Sequence, residues 1–208
     1  MFADLTIAEF LERLGSSSAT PGGGGAAALT GAQAAGLLTM VARLTAGRPA
    51  FASIETRVQE IIQEGDRRRQ ELSAAVDRDA AAFEAVMAAY ALPRATPEEK
   101  EARAATLQPA LKGATESPLT IARHCATIAS LAAELAETGN PQIITDAGTA
   151  ALLAEAALTG AVLQARINLK AIKDPEYVER ANGEISFLLM AGREGRERAL
   201  AAVEQKLG

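Results

Sequence analysis

The sequence predicts an all-α fold, an antiparallel bundle of long helices, and three observations predict it. Apolar residues make up 49% of the 208 residues but aromatics only 3%, and the apolar share leans on alanine with leucine, isoleucine and valine. Alanine and leucine favour helix, whereas strands draw on β-branched and aromatic residues. Capping residues recur along the chain, and no alternating apolar–polar run of useful length interrupts them. Residues 1–208 are expected to form a single domain, since no repeat of constant period divides them.

Each helix has its own signals. Thr6 and Glu9 have capping-box spacing ahead of Phe10, Leu11 and Leu14, with Gly15 as a stop. A second helix is expected over about 24–46, where Ala27, Gly31 and Ala35 form one small-residue ridge and Ala28, Ala32 and Gly36 the next. A third runs from Ile54 to Ala91, with Val76, Ala80, Phe83, Met87 and Tyr90 at heptad-like spacing, and stops before Pro93. Thr96 reads as an N-cap followed by Pro97, and Pro109 is expected to kink that helix, with a restart at Ser117-Pro118. It ends at Gly139-Asn140-Pro141. Thr145 or Asp146 is then expected to cap a helix reaching about Ile172. Asp174-Pro175 opens the last, with Gly183, Gly192 and Gly195 as bends. Long helices with uncharged flanks also predict burial against a second copy, a homodimer.

Composition narrows the function classes. A net charge of −5 argues against a nucleic-acid partner held by overall positive charge. Cys125 is the one cysteine and His124 the one histidine, so no internal disulfide forms and a Cys/His metal site lacks ligands. The start MFADLTIAEFLERLG carries acidic residues and no basic n-region, which predicts no signal peptide and a cytoplasmic protein. The uncharged stretch between Arg13 and Arg43 is long enough to span a bilayer, but its glycines, serines and alanines suit a buried helix of a soluble protein better. No membrane partner is expected.

Candidate chemistry sits in three places. In TPGGGGAAALTG, a Gly-rich approach to a helix start can turn free N–H groups toward a ligand, or simply allow close packing. No Lys-Ser/Thr follows, so this is no phosphate loop of the Walker type. Asp146 lies at a helix start that favours its ionised form, where it serves either as a base or as an N-cap; Asn140 before Pro141 is a natural turn residue. Asp79 flanks the apolar stripe of the third helix, fitting proton transfer or a salt bridge. His124 reads as a packed core histidine. Arg67, Arg68 and Arg69 read as a solvated face, and Lys170 and Lys173 as partners of a helix C-terminus.

Taken together, TPGGGGAAALTGAQAAGLLTMVARLT, DRDAAAFEAVMAAYALPRATPEEKEAR and GNPQIITDAGTAALLAEAALTGAVLQARINL resemble the ordered motifs of the cyclodeaminase/cyclohydrolase family, the fold of the C-terminal half of formiminotransferase-cyclodeaminase. The resemblance covers nearly the whole chain. It departs at Gly25 and Ala26, where Ser and Val are common, and at Thr145, where Ser is common. It implies a helical homodimer acting on the one-carbon unit of tetrahydrofolate, with no metal and no cofactor beyond the folate substrate. It also implies that Pro21, Gly22, Gly23, Gly24, Asp79, Asn140, Thr145 and Asp146 line the folate cleft. Two reactions are implied: hydrolysis of 5,10-methenyltetrahydrofolate, expected here for a free-standing chain, and ammonia elimination from 5-formiminotetrahydrofolate. A non-catalytic folate-binding or scaffold dimer is the third reading. For the hydrolysis, Asp146 is the expected base, Asp79 or Lys100 the expected acid, and a basic patch, either Lys100 with Arg103 or Lys170 with Lys173, the expected holder of the folate tail.

Overall fold

Helix starts follow the caps. Thr6 accepts from the Glu9 N–H (3.3 Å) while Glu9 accepts from the Thr6 N–H (2.8 Å), and Thr96 and Glu99 repeat this exchange at 3.2 and 3.1 Å. Asp174 accepts from the Tyr177 N–H at 3.0 Å, with Pro175 opening the last helix. A computed structural model describes all 208 residues as six α-helices: α1 (Ile7–Leu14), α2 (Gly23–Thr45), α3 (Glu55–Ala91), α4 (Pro97–Thr138), α5 (Ile144–Leu169) and α6 (Pro175–Leu207). Short 3-10 turns precede α1, α3 and α5, and no strand is present.

Three expectations need correction. First, α4 runs unbroken through Pro109 and Pro118 instead of restarting at Ser117. A proline inside a helix leaves the carbonyl four residues back without its N–H partner. For Pro118 that carbonyl is Ala114, and Asn168 of α5 donates to it at 2.8 Å. Beside Pro109, Gln108 donates to the Ala171 carbonyl (3.0 Å) and accepts from the Lys173 N–H (2.8 Å). Second, neither Thr145 nor Asp146 caps α5: Asn140 accepts from the Gln142 N–H at 3.1 Å and starts a 3-10 turn that runs into the helix at Ile144. Asp146 therefore lies inside the first turn. Third, α6 passes Gly183, Gly192 and Gly195 without a break.

α2 packs against α3 and α5, and α4 against α5 and α6. Ala27, Ala28, Gly31, Ala32, Ala34 and Ala35 are buried, so α2 approaches its neighbours closely. A Cβ on Gly31 would lie 2.7 Å from the Cys125 Sγ, and burial pushes that thiol up to about 12. α2 runs antiparallel to α5: Gly23 meets Gln164 at one end, and Thr45 meets the Asn140 turn at the other. By length and composition α2 and α5 are each apolar enough to cross a bilayer, and here they lie side by side within the bundle.

Two glycines of α6 separate packing from propensity. A Cβ on Gly195 would come within 2.7 Å of the Ala129 backbone of α4, whereas one on Gly183 meets nothing. Gly195→Ala should therefore destabilise the fold by about 1–3 kcal/mol. Gly183→Ala should stabilise it by up to about 1 kcal/mol, the helix-propensity gain. Denaturant melts of both variants check the pair.

Candidate functional site

Gly22 is the N-cap of α2, and Gly23, Gly24 and Gly25 form its first turn, so the helix begins one residue before the expected start and takes in three of the four glycines. Two side chains use the space that their missing Cβ atoms leave. A Cβ on Gly24 would overlap both carboxyl oxygens of Asp79 from α3, and one on Gly23 would lie 2.6 Å from the Gln164 Nε2 of α5. First-turn N–H groups lack partners within their own helix. The Gly25 N–H reaches the Asp79 carboxyl and favours its charged form, but burial outweighs it and holds the Asp79 pKa above the usual carboxylate range. The result is a half-buried carboxyl against a helix start, biased toward keeping its proton.

From Asp79 a cleft of about 430 Å³ opens between α3, α4 and α5. Phe83, Val86, Met87 and Tyr90 form its α3 wall, Leu111 and Ala114 its α4 wall, and Gln164, Ile167 and Asn168 its α5 wall. Phe83, Met87 and Tyr90, read from the sequence as a packing stripe, are exposed here at 39%, 50% and 42% and line the cleft. At the Tyr90 end the Arg103 guanidinium lies 5.3 Å over the Tyr90 ring and donates to the Tyr90 carbonyl at 3.2 Å. Asp79 and Tyr90 are eleven residues apart on α3, which sets the cleft at about 16 Å long from a rise of roughly 1.5 Å per residue.

The structure divides the sequence-derived residues into two groups. Pro21, Gly22, Gly23 and Gly24 gather with Asp79 at the start of α2, with Arg103 at the far rim of the cleft. Lys100 is exposed in the first turn of α4 and does not line the cleft. Asn140, Thr145 and Asp146 lie at the opposite end of α2. There Asn140 donates its amide to the Leu44 carbonyl and its N–H to the Thr45 Oγ1, both at 3.2 Å, so it fastens the α4–α5 turn. Asp146 precedes Gln164 by eighteen residues of α5, or about 27 Å along the axis. Within one chain the expected common cleft is therefore corrected: Asp146 does not reach Asp79.

Sequence reasoning missed Gln164 and Asn168, whose only signal is a pair of uncharged amides four apart on an otherwise apolar helix face. Arg67 and Arg69 are solvated as expected, but Arg68 turns inward onto Glu64 and lies 3.0 Å from the His124 Nδ1. A guanidinium only donates, so the His124 Nδ1 accepts; burial and the Arg68 charge lower the His124 pKa. His124 is half-buried between α3 and α4, outside the cleft, and Lys170 and Lys173 lie on the exposed surface, also outside it.

A family model described as formiminotransferase-cyclodeaminase matches residues 6–186. A methenyltetrahydrofolate cyclohydrolase of Methylorubrum extorquens is 41% identical over 207 residues, covering 100% of both chains. A formimidoyltransferase-cyclodeaminase of Mus musculus is 34% identical over 98% of this chain, which spans 38% of that longer protein. The crystal structure of a formiminotetrahydrofolate cyclodeaminase from Thermotoga maritima superposes with a TM-score of 0.90 at 27% identity, covering 100% of both chains.

The raised pKa of Asp79 has a sign that can be tested. A carboxyl whose folded pKa is raised adds stability below its unfolded pKa, and that contribution is lost as pH rises through the folded value. Asp79→Asn should therefore raise Tm at pH 7, with the gain over the native chain disappearing as pH falls below about 4. Thermal melts across that range check it.

Proposed function

The chain belongs to the formiminotransferase-cyclodeaminase family, and from that premise we propose that it hydrolyses 5,10-methenyltetrahydrofolate to 10-formyltetrahydrofolate. The observation that carries this reading is the cleft, with a protonatable carboxyl at one end and, about 16 Å along α3, Tyr90 with the Arg103 guanidinium stacked on it at the other. The methenyl carbon lies between N5 and N10 in a cationic amidinium and needs no metal to be electrophilic. Water adds to it and gives up one proton, leaving a neutral carbinolamine. The bond to N5 then breaks as N5 takes a proton and the hydroxyl loses its own, giving the N10 formyl group and one net proton. Asp79 is suited to deliver the proton to N5, because burial raises its pKa and so favours its protonated form. Arg103 suits the glutamate tail, with Lys100 one turn away on α4 adding positive field. The full-length likeness to a protein named for this hydrolysis supports it over ammonia elimination. The cyclodeaminase name of the Thermotoga structure keeps that second reaction as the alternative to assay.

Asp146 enters this scheme through a second copy. Thr145, Thr149, Leu152, Ala156, Thr159 and Leu163 make an exposed, uncharged heptad stripe along α5, and Gln33, Met40 and Leu44 extend it on α2. A homodimer across this face buries it. With the two-fold axis set across the stripe, each end meets the opposite end of its mate, and Asp146 of one copy comes toward the Gly23–Gln164 end of the other. Asp146 then acts as the base for water, with Thr145 beside it. The same reading gives a cytoplasmic enzyme with no nucleic-acid or membrane partner and no cofactor beyond its folate, supported by the net charge of −5 and the single buried cysteine.

The test follows loss of the methenyl absorbance above the buffer blank, alongside ammonia release from 5-formiminotetrahydrofolate. The native chain should accelerate the first and not the second; the reverse result assigns the alternative reaction, and neither result leaves a non-catalytic dimer. Gly24→Ala should cut turnover by about 10²-fold, the scale of a 1 Å misplacement, without lowering Tm. Asp79→Asn and Asp146→Asn should each lose about 10²–10⁴-fold. Refolding the two variants together should restore activity that neither has alone, which a site built within one chain cannot do.

A further inference from the structure

Pro118 and Asn168 form a device that the proposed reaction does not yet use. A helix normally satisfies the Ala114 carbonyl with the N–H of residue 118, and proline has none. The freed carbonyl lies on the cleft wall and takes the Asn168 Nδ2 at 2.8 Å, while the second amide hydrogen goes to the Gln164 carbonyl at 3.2 Å. Both partners are acceptors, so the amide cannot be turned the other way. Both N–H bonds of the amide are thereby occupied, and its Oδ1 has no partner within the chain. Asn168 lines the cleft beside Gln164, which rests against Gly23 next to Asp79.

We infer that Asn168 is a substrate-positioning residue whose Oδ1 accepts an N–H of the pterin ring, and that Pro118 orients it by freeing the Ala114 carbonyl. This rests on the folate reading above. The cleft offers few other polar groups, and a tetrahydropterin presents ring N–H donors along one edge. A fixed acceptor on the α5 wall holds that edge so that the one-carbon bridge faces Asp79. The otherwise costly proline in the middle of α4 thus acquires a role: it exports a backbone acceptor from the helix to the site.

The experiment measures KM and kcat for 5,10-methenyltetrahydrofolate, calorimetric Kd for the stable 5-formyltetrahydrofolate, and Tm, for the native chain, Asn168→Ala, Pro118→Ala and the double variant. Asn168→Ala should raise KM and Kd about 10-fold, the scale of one hydrogen bond lost in a closed site, and lower Tm because the Ala114 carbonyl is orphaned. Pro118→Ala should raise KM about 3- to 10-fold without lowering Tm, since its new N–H competes for that carbonyl. In the double variant the backbone N–H replaces the missing amide, so Tm should recover while Kd stays as weak as in Asn168→Ala. Recovery of Tm and Kd together would mean a purely structural amide and overturn the inference. So would native folate affinity in Asn168→Ala, or an unchanged KM in Pro118→Ala. A native chain that binds the folate without converting it contradicts the proposed reaction alone, and Kd then decides the role of Asn168. One that neither binds nor converts it contradicts both.

Discussion

The absence of a Cβ on Gly24 is the constraint on which the site depends. The Asp79 carboxyl occupies the volume a methyl group would take, and only there is it both shielded from water and within reach of a helix-start N–H. Gly23 does the same for the Gln164 amide. With a side chain at these positions, the Asp79 carboxyl and the Gln164 amide would have to swing away from the α2 backbone, and the cleft would lose its polar end. Glycines here cost helix propensity, roughly 1 kcal/mol each against alanine. That cost is accepted where the Asp79 carboxyl and the Gln164 amide meet the α2 backbone.

The rest of the bundle serves the same geometry. Small residues along α2 bring α3, α4 and α5 together closely enough that a carboxyl, an amide and an apolar wall can share one cleft. α4 reaches across 42 residues without a break because its two prolines are supported from outside the helix, one by Asn168 and the other in a region clamped by Gln108. The opposite end of α2 is closed with equal economy. There Asn140 joins three backbone or hydroxyl groups and leaves Asp146 at the edge of an uncharged outer face.

Most of the fold was legible because helix starts are local. Thr6, Thr96 and Asp174 cap where their spacing said they would, since each bond lies within one turn. What was not legible depends on partners far along the chain. The prolines of α4 read as breaks because nothing local reveals that Asn168 or Gln108 will support them. Asp146 read as a cap because a 3-10 turn from Asn140 is indistinguishable, residue by residue, from a loop. Phe83, Met87 and Tyr90 read only as part of an apolar stripe, because heptad spacing identifies an apolar face but not whether protein or solvent fills the space above it. Asp79 and the glycines were recognisable as candidates, and their contact required the packing of α2 on α3.

The central claim, that the glycine start of α2 holds Asp79 desolvated at the head of a folate-binding cleft, is tested most directly by a ¹³C-carboxyl NMR titration of Asp79 with and without 5-formyltetrahydrofolate. The account predicts a titration midpoint above the ordinary aspartate value in the free protein, and a resonance that moves when the folate binds. A midpoint at or below the ordinary value, together with no response to folate, would contradict it.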